Sequence, residues 1–319
     1  MSTMNNAKRR GRGVSPLLFL ALAAALGLGF YRFLGEAPAG PVSPPSLPEP
    51  GPLSVRESTV FGIPCTLTRL DEDAVYTGDL ILVNNWTLYH FPEEQPLVSI
   101  YEEKTGSYYV RDKDVELSPV ALQALNRMLD AFREQGGSKT VNVVAGYRTK
   151  AFQQHLFDQS AERSGQAHAE KYVARPGGSE HHTGLVVDFS LFFEDGSSQE
   201  YDGAGEYAWI NANCHNFGWV VRYDRDKENL TGIGDEPWHF RYVGVPHATA
   251  MAAQGLCLEE YTDYLKNFPF DGQHLVVNCA EGKYEIWYCA GTEVYLPDEG
   301  EFTVSGNNVD GVVVTCKID

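Results

Sequence analysis

Apolar residues recur along this chain at more than one spacing, and each spacing predicts a different element. Leu122, Leu125, Leu129 and Phe132 fall three or four residues apart, the period of a helix with one buried face. Ser118 at the N-cap position, Pro119 at the first helical position and Gly136-Gly137 as the stop bound that helix. Short apolar runs predict strands at Asp79–Val83, Leu97–Tyr101, Thr140–Ala145, Leu185–Phe193, Trp219–Tyr223 and His239–Val243, with Asn84–Pro96 as an aromatic-bearing loop. Further helices are expected over Thr149–Arg163, Glu206–Phe217 and near Leu258–Leu265. From about Gly272 the pattern changes to short β segments (HLVVNC, YEIWYC, TEVYL, FTVSG, GVVVTC) separated by turn residues, which predicts a small all-β module over 271–319. Together these elements predict an α+β fold with a central antiparallel sheet flanked by helices.

The longest apolar run breaks from this pattern. Val14 to Tyr31 carries no charge, follows Lys8, Arg9, Arg10 and Arg12, and is closed by Arg32. Such a run is expected to meet a bilayer, either as a long signal-peptide core or as an uncleaved anchor. No clean small-x-small cleavage site follows, so the expectation is a cytoplasmic basic segment (1–12), a transmembrane signal anchor (13–34) and the rest of the chain on the far side of the membrane. Residues 37–53 then hold seven of the 17 prolines, within an expected linker over 35–58. Extended as polyproline II at about 3.1 Å per residue, those 17 positions span roughly 50 Å.

Residues 1–36 hold five basic side chains and one acid, so the remainder carries 20 basic against 42 acidic residues, a formal charge of −22. That balance disfavours nucleic acid as a partner. Cys65, Cys214, Cys257, Cys279, Cys289 and Cys316 show no CxxC pairing, and in an exported domain disulfides are expected. A monomer is expected.

Candidate chemistry lies in GSEHHTGLVVDF (178–189), where His181 and His182 precede Asp188. On a straight strand at about 3.3 Å per residue, seven residues would separate His181 from Asp188 by roughly 23 Å, too far for two ligands of one ion. Thr183-Gly184 supplies the bend that brings them together. His182 either replaces His181 or orients it. A second stretch, GDEPWHFRYV (234–243), adds His239 and Glu236, with Pro237 holding Glu236 extended on a loop into a strand that starts near His239. Two nitrogens and one carboxylate oxygen leave an open zinc position, as catalytic sites require. Glu236 is then the neighbouring base. Arg148 stands where a strand ends, and a planar guanidinium suits a terminal carboxylate. Trp238 is either wall packing or a substrate platform.

The pattern Ser-x-His-x-x-Gly-x-(Ala/Val)-x-Asp from Ser179 to Asp188, followed by Glu236-Pro-Trp-His239, resembles the zinc D-Ala-D-Ala carboxypeptidases of the vancomycin-resistance type. GYRTKAFQQHLF (146–157), WINANCHNFGWVVRY (209–223) and TGIGDEPWHFRYVG (231–244) extend the likeness over roughly residues 80–268. The wider fold group includes lysostaphin-like endopeptidases and hedgehog domains. The resemblance implies a zinc peptidase domain over 59–270, with His181, Asp188 and His239 as zinc ligands and Glu236 as catalytic base. It also implies that Arg148 and Ser179 hold or polarise the substrate, Arg148 as a second catalytic residue, and that Gln153 contacts the substrate. Departures are mild: Val186 where alanine is commoner, and Asp224 where proline often follows. The implied reaction removes the last D-Ala of peptidoglycan stem peptides. Rival expectations are an L,D-carboxypeptidase, a D,D-dipeptidase and a non-catalytic, zinc-containing wall-binding domain.

Overall fold

The computed structural model describes residues 63–318. The expected anchor and the whole of the proline-rich linker lie outside them, and among the described residues no helix is long and apolar enough to cross a membrane. Fourteen strands are formed among these residues: β1 Cys65–Arg69, β2 Val98–Ser99, β3 Tyr109–Val110, β4 Glu116–Leu117, β5 Val141–Ala145, β6 Val186–Phe192, β7 Ser198–Glu200, β8 Trp219–Tyr223, β9 Glu236–Tyr242, β10 Leu275–Cys279, β11 Gly282–Ala290, β12 Glu293–Pro297, β13 Phe302–Gly306 and β14 Gly311–Lys317.

The central sheet has the order β3-β5-β6-β9-β8, with β7 pairing β6. It is antiparallel except at one edge, where β3 runs parallel to β5. The helix Pro119–Glu134 covers it with a face of Leu122, Leu125, Met128, Leu129 and Phe132. Ser118 stands at the N-cap position without a side-chain cap bond; its N–H donates instead to the carbonyl of Gly184 at 2.8 Å, tying the helix start to the turn ahead of β6. Gly136 at φ 89° ends the helix as expected.

Asp79–Val83 is not a strand. Four consecutive buried side chains, Leu80 to Val83, leave no solvent face for alternation, and the backbone is paired from outside any ladder. Arg241 donates to the carbonyls of Asp79 and Ile81, Asn308 to that of Leu82, and Ser305 Oγ accepts from Leu80 N–H. Leu97–Tyr101 likewise divides, into β2 and a helical turn at Ile100–Glu103. The region expected as one helix, Glu206–Phe217, is an α-helix only at Ala208–Asn213, with 3₁₀ turns on either side.

The C-terminal strands form a four-stranded antiparallel sheet, β10-β11-β14-β13, and β12 pairs with β1 from the start of the described chain. This sheet does not stand apart from the rest. One apolar cluster joins Leu275, Val277, Ile286, Tyr288 and Val313 to the helices Val245–Gln254 and Leu258–Leu265 and to Val220 and Val243 beside the central sheet. The expected disulfides are not formed: among the described residues, which include all six cysteines, no disulfide bond is present. Cys214 lies in the core of the central sheet and Cys279 packs against the shared cluster, while Cys65, Cys289 and Cys316 share a third cluster, each thiol packing as a small apolar group.

Candidate metal and peptidase site

The site is built where β6 and β9 lie side by side. Their register sets Asp188 directly opposite His239, while Asp188 also faces Ala145 across an irregularity in β5. A second irregularity in β8, between Val221 and Tyr223, brings Tyr223 opposite Glu236. Bulges of this kind re-aim side chains next to functional sites. Glu236 is thus the first residue of β9 and not part of a preceding loop; the extended backbone that Pro237 demands is the strand itself.

The bend inferred between His181 and Asp188 is present. Glu180–Thr183 form a 3₁₀ turn that ends at Gly184 in the left-handed conformation, φ 69°. A clasp from the end of β5 holds this turn. Gly146 O lies 2.6 Å from Nδ1 of His181, Arg148 N–H donates to His181 O, and Nδ1 of His182 lies 2.7 Å from Arg148 O. Gly146 is pressed against β4 at the same point, where a Cβ would sit 2.2 Å from the carbonyl oxygen of Glu116. Nε2 of His182 accepts from Gly177 N–H, so both ring nitrogens of His182 are occupied and it braces the turn; His181 is the one left to face the site.

His181, Asp188 and His239 offer ligand atoms that all lie within 4.8 Å of one another, and among the described residues they form the one such cluster. Nε2 of His181 is 3.1 Å from Asp188 Oδ2, and Nδ1 of His239 is 3.0 Å from Oδ1. The donor set suits zinc: two imidazoles and one carboxylate, whose buried Oδ1 has no hydrogen-bond partner. Burial alone would raise Asp188, yet the two facing histidines hold it well below the usual carboxylate range. Burial pushes His181 down to about 4.

Glu236 Oε2 stands 3.6 Å from Nδ1 of His239. Burial lifts its carboxyl to about 7, with His239 opposing and Asp188 reinforcing the shift. Its side chain keeps 26% of its exposure, so water reaches it. Arg148 donates through Nη2 to Asp188 Oδ2 at 2.9 Å. Ser179 is buried immediately before the turn. Gln153 points inward, donating to Ala174 O while its Oε1 has no partner; Gln154 points outward to Asp158. Trp238 packs against the core of the central sheet.

Glu180, Arg222, Arg241 and Glu259 were not singled out from the sequence, yet they form a buried ionic network behind His239. The available signal was an arginine in each of two otherwise apolar strands, WVVRY and HFRYV. Although Glu180 is deeply buried, Arg222 and Arg241 hold its carboxyl well below the ordinary range.

Residues 114–245 match the family model described as VanY, D-alanyl-D-alanine carboxypeptidase. A D-alanyl-D-alanine carboxypeptidase of Enterococcus faecium is 34% identical over 257 residues, covering 77% of each chain. The chain belongs to this family. A bifunctional D-Ala-D-Ala dipeptidase and D-Ala-D-Ala carboxypeptidase, VanXYC of Enterococcus gallinarum, is 38% identical over 48% of this family member and 81% of its own length. The crystal structure of the vancomycin-resistance D,D-dipeptidase VanXYg, in complex with a D-Ala-D-Ala phosphinate analog, superposes with a TM-score of 0.70 at 30% identity, over 79% of this chain and 98% of that one.

Proposed function

We propose that this chain is a zinc-dependent D-Ala-D-Ala carboxypeptidase that removes the C-terminal D-Ala from peptidoglycan stem peptides. The observation that carries this is the convergence of His181, Asp188 and His239 beside a carboxyl, Glu236, lifted to about 7. His181, Asp188 and His239 would hold the ion. Zinc, when bound, supplies Lewis-acid polarisation of the scissile carbonyl and acidifies water. Glu236 takes the proton from the attacking water and returns it to the leaving amine, a shuttle that needs a pKa near the working pH. Arg148 grips the terminal carboxylate with its planar fork, having N–H groups beyond the one given to Asp188. Ser179 and the unpartnered Oε1 of Gln153 serve substrate hydrogen bonds, and Trp238 forms part of the wall.

A second substrate is favoured by a specific likeness: the VanXYg structure is that of a D,D-dipeptidase, and the Enterococcus gallinarum relative is bifunctional. Mass spectrometry of pentapeptide stem, tetrapeptide stem and free D-Ala-D-Ala after incubation, with and without chelator, separates the alternatives. Loss of one alanine from the pentapeptide, stopped by chelator and restored by zinc, is expected. An untouched pentapeptide with a cleaved tetrapeptide would make the enzyme an L,D-carboxypeptidase. No cleavage of any of the three by folded, zinc-loaded protein would leave a binding domain.

A further inference from the structure

Glu180 has no part in the chemistry above, although it adjoins His181 and its side chain is wholly buried, at 0% exposure. Its Oε1 accepts from Nε of Arg222 and from Nη1 of Arg241, each at 2.9 Å. Both arginines are fixed in turn. Arg222 forks onto Glu259 at 2.9 and 2.7 Å, and Asn84 donates to the same carboxylate. Arg241 donates through Nη2 to the carbonyls of Asp79 and Ile81. Glu180 therefore cannot rotate without breaking several charge-assisted bonds, and its second oxygen has a set position: Oε2 faces Nε2 of His239 at 3.5 Å.

A neutral imidazole has one proton to place. An ionised carboxylate can only accept, and His239 has one on each side, Asp188 at 3.0 Å from Nδ1 and Glu180 at 3.5 Å from Nε2; with an ion held on the Asp188 side, the proton is left to Nε2, where Glu180 accepts it. We propose that Glu180, clamped by Arg222 and Arg241, is a positioning residue that holds His239 as its Nε2–H tautomer with Nδ1 turned toward Asp188 and His181, an assignment that rests on the metal-site reading above. The two histidines are thereby oriented by different means. A backbone carbonyl, Gly146 O, takes Nδ1–H of His181 and frees its Nε2, whereas His239 depends on a side chain anchored in β8, β9 and the helix Leu258–Leu265. Carboxylate–histidine–metal relays of this type tune affinity through the outer partner.

Glu180→Gln tests the assignment. With its oxygen kept by the arginines, the amide would present NH₂ to Nε2 and demand a lone pair there, moving the proton to Nδ1. Zinc affinity of the full chain, read by chelator competition, is expected to fall roughly 10–100-fold, with KM of the zinc-saturated enzyme unchanged. A merely structural ion pair would lower thermal stability and leave zinc affinity alone; a folded variant that binds zinc as tightly as wild type overturns the proposal. Should the variant not fold, the wild-type protein decides: with ¹⁵N-labelled histidine and ¹¹³Cd in place of zinc, coupling from cadmium to Nδ1 of His239 and a slowly exchanging proton on its Nε2 are expected. Coupling to Nε2 overturns the role of Glu180 while leaving the metal site intact. No coupling to either histidine overturns the metal site as well.

Discussion

At Glu236 the proposed chemistry asks one carboxyl group to take up a proton and give it back within a turnover. Glu236→Ala is expected to lower kcat by roughly 10²–10⁴, measured as D-Ala release from pentapeptide stem at saturating zinc. Near-normal hydrolysis would remove Glu236 from the mechanism. Arg148→Lys keeps the charge and loses the fork. It is expected to cost about 2 kcal/mol, roughly 30-fold in kcat/KM, on a stem with a free terminal carboxylate, and little on the same stem amidated at its C-terminus. His181 and Asp188 were legible in the sequence because their spacing makes sense only if the chain bends at Thr183-Gly184, and Glu236 because it stands three residues before His239. His182 was ambiguous until both of its nitrogens were seen to be hydrogen-bonded. Glu180 was illegible, since nothing in Ser-Glu-His tells which way the acid points or that two arginines from other strands will meet it.

Among the elements, the helix Pro119–Glu134 could be read directly, because its apolar period, its proline and its glycine stop agree. The segment Asp79–Val83 was misleading for an equally physical reason: an apolar run reports burial, and here side chains of Arg241, Asn308 and Ser305 replace the strand partner that burial normally implies. The parallel edge of β3 was hidden because a two-residue strand leaves no periodicity. His247 shows how such elements are coupled. It is buried on the helix Val245–Gln254, with its ring nitrogens 2.8 Å from Tyr261 Oη and from Thr315 Oγ1 of β14. Burial drives its pKa down from 6.5 to about 3. Between those values the unfolded chain binds the proton and the folded chain does not, so this residue makes stability fall as pH drops through that window, by up to about 1.4 kcal/mol per pH unit. His247→Gln is expected to flatten that acid limb in denaturant titrations run at pH 3.5 to 7; an unchanged slope would mean His247 is not among the groups responsible.

For the whole molecule, the apolar run from Val14 to Tyr31 and the basic residues before it motivate a placement of the enzyme at the membrane, with its site on the cell-wall side. In cells the full chain is expected to sediment with membranes, resist high-salt extraction, and be cut by protease added from outside. Recovery in the soluble cytoplasmic fraction would refute that placement. The domain's outline was only partly legible from sequence, because a change of pattern near Gly272 marks a new sheet but not what that sheet packs against. The pairing of β1 with β12 has a kinetic consequence as well. Thr66 bonds Asp298 across 232 residues of chain, so β1 must wait for β12 to be made. Contacts of such high order slow folding, and a chain emerging from its amino end would remain incomplete, with an unpaired edge at β1, until β12 had been delivered.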